Sequence, residues 1–168
     1  MKIGLLSDTH GFLDPKVYSY FDQVDEIWHA GDIGTMEVLE ALRSFKPTVA
    51  VWGNVDGGKL RLECQEDELI EREGLRIFIT HIAGSPPNYN KRVKELLGSH
   101  QPKLLVCGHS HILKVMPDGP NRLLYLNPGA AGKHGFHKVK TLLRFELDDK
   151  EIKHMEVIEL GKRGSTSQ

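Results

Sequence analysis

Five short apolar runs in this chain each end in a cluster of polar residues able to bind a metal ion. The clusters are Asp8-Thr9-His10, Gly31-Asp32, Gly53-Asn54-Val55-Asp56, Thr80-His81 and Gly108-His109-Ser110-His111. Because parallel strands point the same way, their carboxyl ends meet at one edge of a sheet, where residues distant in sequence come together. This pattern constrains the fold more than any other feature, since it favours an α/β protein with a site at its strand ends.

The first third of the chain alternates predicted strands with predicted helices. In order, these are a strand at residues 2–7, a helix at 15–21, a strand at 26–29, a helix capped by Thr35 and a strand at 48–52. Alternation of this kind is typical of a parallel sheet covered by helices.

Beyond residue 56 the pattern changes to one of hairpins. Strands predicted at 68–72 and 76–80 flank a turn at Glu73-Gly74, and a helix from Asn90 to Leu97 is stopped by Gly98. A strand at 103–107 is followed by four strands predicted to be successive and antiparallel, at 112–116, 122–126, 141–147 and 152–158. We therefore expect a second sheet, stacked on the first as a two-sheet β-sandwich flanked by helices.

The length of 168 residues and a hydrophobic content of 39% suit one compact domain. We assign residues 1–160 to this domain and residues 161–168, which are polar, to a flexible C-terminal tail. The longest uninterrupted apolar runs have four residues, whereas a membrane helix needs about 20. Asp8 and His10 also interrupt the place where a signal peptide needs its apolar stretch. We therefore predict a cytoplasmic protein with no membrane partner.

The charged residues nearly cancel. The chain has 22 Lys and Arg against 23 Asp and Glu, for a formal net charge of -1. Such a balance provides no general attraction to a polyanion, so nucleic acid is not an expected partner. The sequence leaves homo-oligomer formation open.

The polar clusters contain seven candidate metal ligands with oxygen or imidazole donors and no thiolate, namely Asp8, His10, Asp32, Asn54, His81, His109 and His111. This donor set favours Mn, Fe, Co, Ni or Zn over Ca or Mg, and seven ligands are too many for one ion with an open position. Two divalent ions that share a carboxylate account for the number, with manganese as our first expectation. Such a pair can bind a phosphate oxygen and hold a bridging hydroxide, so we predict metal-assisted phosphoester hydrolysis.

The order and approximate spacing of these motifs resemble those of the calcineurin-like metallophosphoesterases, in particular their small bacterial and archaeal phosphodiesterase branch. With the downstream Asn127-Pro128-Gly129, the resemblance covers about three-quarters of the chain. It implies a four-layer α/β/β/α fold and a phosphodiesterase that acts on a small phosphoester substrate. It also implies one ion held by Asp8, His10, Asp32 and His111, and a second held by Asp32, Asn54, His81 and His109, with Asp32 as the bridge.

Within this site we predict catalytic roles for Asn54, Asp56 and His81. For Asp56 the alternative is that it caps a turn or pairs with a histidine, and His29 can either support a ligand or be an ordinary core residue. Many relatives have His or Cys between the Asn and Asp of the third motif, but this chain has Val55, which cannot donate a proton. The motif therefore leaves the general acid unassigned.

A stretch rich in Lys and His follows Asn127-Pro128-Gly129 and includes Lys133, His134 and His137. We favour a solvated loop for this stretch over a patch that faces the phosphate.

A non-catalytic function is the alternative for the whole protein. The retromer scaffold subunit resembles this fold and works as a protein-interaction module, so a metal-binding fold need not be an enzyme. All seven candidate ligands are present here, and scaffolding alone would not require them, which favours catalysis.

Overall fold

Two five-stranded sheets packed face to face form the centre of the molecule, and helices cover the outer face of each sheet. A computed structural model describes residues 1–164 of the chain. Its elements in chain order are β1 (Lys2–Leu6), α1 (Lys16–Tyr20), β2 (Glu26–His29), α2 (Met36–Phe45), β3 (Thr48–Ala50), α3 (Gly58–Glu63), β4 (Asp67–Arg72), β5 (Leu75–Thr80), β6 (Gly84–Ser85), β7 (Asn88–Tyr89), α4 (Lys91–His100), β8 (Leu104–Val106), β9 (Leu113–Asp118), β10 (Leu123–Pro128), β11 (Val139–Asp148) and β12 (Glu151–Lys162).

Each sheet contains three adjacent parallel strands. The first sheet has the order β12-β11-β1-β2-β3, in which β1, β2 and β3 run parallel and β11 is antiparallel to β1. The second has the order β4-β5-β8-β10-β9, in which β5, β8 and β10 run parallel between antiparallel edge strands. The predicted fold class, a two-sheet α/β sandwich with helices outside, is confirmed.

The alternation of side chains along β1 shows how the layers form. Ile3 and Leu5 are fully buried between the sheets, whereas Leu6 belongs to the cluster under α1, α2 and α3. On the far side of the second sheet, Val93 and Leu97 of α4 are buried in a third apolar cluster. Each fully buried side chain of this size contributes about 1.5–3 kcal/mol, so the layers are stabilised mainly by apolar burial.

The prediction that the last four strands are successive antiparallel partners is confirmed for β9 with β10 and for β11 with β12, but it is wrong for β10 with β11. Both strands return to the first sheet, where β11 pairs with β1 through partners such as Ile3 and Phe145. Strand pattern alone does not specify this partner, because an alternating strand can pair with any free edge. Leu143 and Phe145 of β11 complete the apolar layer between the sheets.

Two local predictions also need correction. Gly98 does not end α4, which continues to His100 and ends at Gln101 in the left-handed conformation, at φ 48° and ψ 54°. A glycine costs a helix only about 1 kcal/mol, and the burial of Val93 and Leu97 offsets that cost. The short helix α3 was not predicted, because with Leu60 as its buried residue it has no apolar periodicity to recognise.

The predicted boundary between the domain and the tail falls inside β12, which extends to Lys162. Gly161 and Lys162 pair with Lys140 and Val139 in the β11–β12 ladder, because backbone pairing does not depend on apolar side chains. Residues 165–168 of the predicted tail lie outside the described residues. No helix within residues 1–164 combines the length and apolar character of a membrane span.

Candidate metal centre

The seven predicted ligands lie in the loops that follow β1, β2, β3, β5 and β8. Backbone hydrogen bonds join neighbouring loops, so that they form one surface. The amides of Asp8 and His10 donate to the carbonyls of Gly31 and Asp32, each at 3.0 Å. The parallel strands of both sheets thus contribute to a single site.

One group of ligand atoms comes from Asp8, His10 and His111, and these atoms lie within 4.8 Å of one another. Asp8 Oδ1 is 3.2 Å from His111 Nε2 and 4.0 Å from His10 Nε2. The two imidazole Nε2 atoms are 3.4 Å apart. The other carboxylate oxygen, Asp8 Oδ2, accepts a hydrogen bond from the His109 amide at 3.1 Å.

A second group comes from Asp32, His81 and His109, again within 4.8 Å of one another. His81 Nε2 lies 3.2 Å from Asp32 Oδ2 and 3.1 Å from Asn54 Oδ1. Asp32 Oδ2 is also 3.8 Å from His10 Nε2, which belongs to the first group. Asp32 therefore lies between the two groups, at the place expected of a shared ligand.

These contacts bring hydrogen-bond acceptors together in a way that calls for a cation. His81 Nδ1 lies 2.7 Å from the Ala30 carbonyl, so it carries the proton in the neutral ring, and Nε2 then faces Asp32 and Asn54 with a lone pair. Among the described residues, the buried Asp8 Oδ1 has no hydrogen-bond partner. Burial of acceptors with no donor or cation beside them lowers the stability of the fold. The carboxylate, amide and imidazole donors fit divalent transition-metal ions.

The pKa values of these groups reflect the same concentration of negative charge. Burial alone would raise the pKa of Asp32, but the hydrogen bond and charge of His81 outweigh it and lower that pKa. Burial would lower the pKa of His81, but the carboxylates of Asp32 and Asp8 raise it above 6.5. For His10 burial prevails over the same carboxylates and lowers the pKa. A metal ion at His81 Nε2 would therefore compete with a proton for the same lone pair.

Five of the seven residues adopt a left-handed backbone, with φ between 48° and 68°. They are Asp8, His10, Asp32, His109 and His111. Each such position costs a non-glycine residue on the order of 1–3 kcal/mol unless its surroundings enforce it. Close approach adds a further constraint, because a Cβ at Gly53 would overlap the Asp32 side chain.

The Asp56 carboxylate holds the loop that presents Asp32. It is buried, and it accepts three backbone hydrogen bonds, from Ile33 at 3.0 Å, Gly34 at 2.7 Å and Gly53 at 2.8 Å. Both carboxylate oxygens are thereby occupied. This geometry favours a positioning role for Asp56 over the catalytic role predicted from the sequence.

His29 is a core residue that ties two ligand loops together. Its Nδ1 accepts from the Gly31 amide at 3.2 Å, so its Nε2 carries the proton and donates to Thr9 Oγ1 at 2.9 Å. Thr9 Oγ1 in turn donates to the Ile33 carbonyl at 2.9 Å. Complete burial lowers the pKa of His29 to about 4, and the ring is therefore neutral near pH 7.

Asn127 supports the loop that carries His109 and His111. Its side chain is buried and donates to the Gly108 carbonyl at 2.8 Å and to Ser110 Oγ at 3.1 Å. The sequence offers no role for Asn127 beyond the resemblance of Asn127-Pro128-Gly129 to the same family.

The stretch around residue 134 is exposed at His134 and Phe136, as predicted for a solvated loop, and it lies beside two candidate ligands. The ring of His134 lies 5.9 Å from that of His10, and the ring of His137 lies 5.2 Å from that of His111. Lys133 lies against Phe12, with its Nζ 3.9 Å from the centre of that ring. His134 lines the cleft over the candidate ligands.

The chain is similar to known proteins in family, sequence and fold. Residues 1–150 match the calcineurin-like phosphoesterase superfamily domain. A probable metallophosphoesterase from Methanocaldococcus jannaschii is 31% identical over 156 residues, which cover 89% of this chain and 78% of that protein.

Solved structures extend the similarity to the whole fold. An archaeal phosphodiesterase superposes with a TM-score of 0.76 at 23% identity, covering 94% of this chain and 100% of that one. Vps29 from Entamoeba histolytica, in complex with zinc, gives a TM-score of 0.72 at 18% identity, covering 95% and 99%. At these identities the likeness concerns the fold alone.

We predict that Asp56→Asn destabilises the metal-free protein by about 2–3 kcal/mol. Whichever way the new amide is oriented, its Nδ2 faces at least one of the three backbone N–H groups that the carboxylate now accepts. Urea unfolding measures the loss, with Asp149→Asn in the exposed β11–β12 turn as the control. Equal stability of the two variants would contradict the positioning role.

We also predict that His29 contributes to the pH dependence of stability. Its folded-state pKa of about 4 lies below the ordinary value of 6.5, so its contribution is complete above pH 6.5 and is lost as the pH falls towards 4. The loss amounts to about 3 kcal/mol. Urea unfolding of metal-free His29→Gln at pH 7 and pH 4.5 should therefore show a smaller pH effect than wild type. The exposed His154→Gln variant is the control, and an unchanged pH effect in His29→Gln would refute the assignment.

Proposed function

The chain belongs to the calcineurin-like phosphoesterase superfamily, and on that premise we propose that it is a dinuclear-metal-dependent phosphodiesterase of small phosphoesters. One observation carries the proposal. Asp32 Oδ2 lies 3.2 Å from His81 Nε2 in one ligand group and 3.8 Å from His10 Nε2 in the other, where a shared carboxylate would be.

In this proposal the two ligand groups hold one divalent ion each. Asp8, His10 and His111 would bind the first ion, Asn54, His81 and His109 the second, and Asp32 both. Bound ions would stabilise charge on the phosphoryl oxygens and make water nucleophilic at neutral pH. Manganese is our first candidate, with Fe, Co, Ni and Zn as alternatives of similar ligand preference.

The chain's own groups supply position and polarity. The Ala30 carbonyl holds the His81 ring in one tautomer and orientation through Nδ1. The exposed Asn54 turns its Oδ1 towards His81, so its Nδ2 can donate to a non-bridging phosphate oxygen. The amide of Val55 donates to Asp32 Oδ1 at 3.0 Å and orients the shared carboxylate.

Two features of the cleft over the ligands favour diesters over monoesters. The cleft has a volume of about 280 Å³, and its lining includes Asn54, Val55, His134 and Phe136. Within residues 1–164 no Lys or Arg lines it, so no side-chain cation is available to balance the second charge of a monoester. Val55 also places a half-exposed hydrocarbon side chain where a proton donor would assist an alkoxide. Both features suit a singly charged ester with a good leaving group.

A non-catalytic metal-binding scaffold is the alternative, and the likeness to Vps29 is consistent with it. The two proposals differ in one measurable respect. A scaffold binds metal without turnover, whereas a phosphodiesterase loaded with a suitable metal hydrolyses a diester.

We expect the manganese-loaded protein to hydrolyse bis(p-nitrophenyl) phosphate and Asp32→Asn to abolish this activity, because Asp32 would serve both ions. Asn54→Ala should lose less, and Asp149→Asn should match wild type. Elemental analysis of the same samples measures bound metal. If wild type binds metal but shows no turnover with each of Mn, Fe, Co, Ni and Zn in turn, the scaffold would be established instead. Half-activity in Asp32→Asn, with none in His111→Ala, would refute the shared carboxylate.

We expect Val55→His to narrow the gap between aryl and alkyl substrates. Nitrophenolate leaves without a proton, whereas an alkoxide needs one, so the new imidazole should raise turnover of alkyl monoesters by about 100-fold, the low end of general acid catalysis. The rate on aryl esters should change much less. Steady-state rates on p-nitrophenyl phosphate and a sugar phosphate provide the comparison. Equal effects on both substrates would show that another group already donates the proton.

A further inference from the structure

We propose that a second cavity, beside the metal centre, binds an anionic group carried by the substrate, and that Arg61 is the residue that recognises it. The inference rests on the proposed phosphodiesterase function and names its substrate class. The preferred substrates are diesters in which one arm bears a phosphoryl or carboxylate group a few bonds from the scissile phosphate.

The cavity adjoins the second ligand group directly. Asn54 and His81 form one of its walls, and Trp52, Arg61 and Arg92 line the remainder together with Glu66. Its volume is about 120 Å³, which corresponds to about four water molecules at their liquid volume. A diester bound at the ligand groups can therefore place one arm past Asn54 into this space.

Arg61 is held in place before any ligand arrives. Its guanidinium carbon lies 4.2 Å from the centre of the Trp52 ring, and its Nε donates to the Asp56 carbonyl at 2.6 Å. A stacked and hydrogen-bonded guanidinium loses little further side-chain freedom when it binds an anion. Asp56 also holds the Asp32 loop through its carboxylate, so Arg61 and the metal centre share one framework.

The terminal nitrogens of Arg61 remain available to a ligand. Within residues 1–164 no carboxylate pairs with this guanidinium, whose contacts are the Trp52 ring and the Asp56 carbonyl. A guanidinium offers N–H groups in the fork geometry that matches a carboxylate or phosphoryl group.

The other charges in the cavity are already paired with each other. Arg92 pairs with Asp67, lies 3.7 Å from Glu66 and donates to Thr80 Oγ1 at 3.1 Å. One arginine against two carboxylates leaves this wall with a formal charge of -1, and the N–H groups of Arg92 are occupied by these partners. Recognition of an anionic arm therefore falls to the terminal N–H groups of Arg61.

The test compares three diesters that share a p-nitrophenyl leaving group and differ in the other arm, which is propyl, 2-carboxyethyl or 2-phosphonoethyl. With manganese-loaded full-length protein we expect the anionic arms to raise kcat/KM by about tenfold over propyl, since one charge-assisted pair contributes roughly this much. The gain should come through KM, because a remote arm binds equally in ground and transition states. The ratio between the two anionic arms tells a phosphoryl preference from a carboxylate preference.

Arg61→Gln should reduce this preference to less than twofold, and Arg61→Lys should keep part of it. Arg76→Gln, which removes an exposed arginine on β5, is the matched control and should keep all of it. Equal kcat/KM for propyl and anionic arms in wild type would overturn the inference while leaving the phosphodiesterase proposal intact. A preference that survives Arg61→Gln would overturn it as well.

A binding measurement keeps the inference testable if no diester is cleaved, which would refute the proposed function. The chain has two tryptophans, and Trp28 is fully buried away from any ligand. A ligand-dependent change in emission therefore reports on Trp52, which lines the cavity and stacks on Arg61. We expect 3-phosphonopropanoate to change the emission of metal-free wild type saturably, and not that of Arg61→Gln. The absence of an Arg61-dependent change would overturn the anion site.

Discussion

The rest of this structure depends on one constraint: buried hydrogen-bond acceptors face one another at the candidate metal centre. His81 Nε2 lies 3.2 Å from Asp32 Oδ2 and 4.0 Å from Asp8 Oδ1, and Asp8 Oδ1 lacks any hydrogen-bond partner among the described residues. Such a cluster is unstable in a low-dielectric interior unless positive charge enters it. Within residues 1–164 the bases that contact these carboxylates are imidazoles, so none of them is a permanent cation. A site of this kind is built to take a metal ion, and the surrounding loops keep its ligands together until one binds.

The loops achieve this against their own backbone preferences. Five ligand residues occupy the left-handed region, which hydrogen bonds from behind the site enforce. Asp56 holds the Asp32 loop, His29 and Thr9 join the first two loops, and Asn127 holds the loop after β8. None of these four side chains is a candidate ligand, yet their hydrogen bonds determine where the candidate ligands lie. The apolar layer between the sheets provides the rigid base from which they act.

The loop Gly53-Asn54-Val55-Asp56 borders both the candidate ligands and the two cavities beside them. Asn54 lies between two spaces, the open cleft over the ligands and the smaller cavity that Trp52 and Arg61 border. Val55 presents a hydrocarbon side chain to the cleft, while Arg61 presents a guanidinium to the cavity. The two arms of a diester would therefore meet different surroundings, which a site with uniform walls could not provide.

The sequence by itself determined the candidate ligands and the class of fold. All seven candidate ligands followed from polar residues at the ends of apolar runs, because parallel strands must bring their carboxyl ends to one edge. Only the tertiary structure decided that β11 returns to pair with β1, that Asp56 supports a loop, and that Arg61 stacks on Trp52 beside His81. The local sequence pattern indicates which face of a strand is apolar and which residues can bind a metal ion. It does not report which edge a strand joins or which backbone amide a carboxylate reaches, since those depend on contacts between segments far apart in the chain.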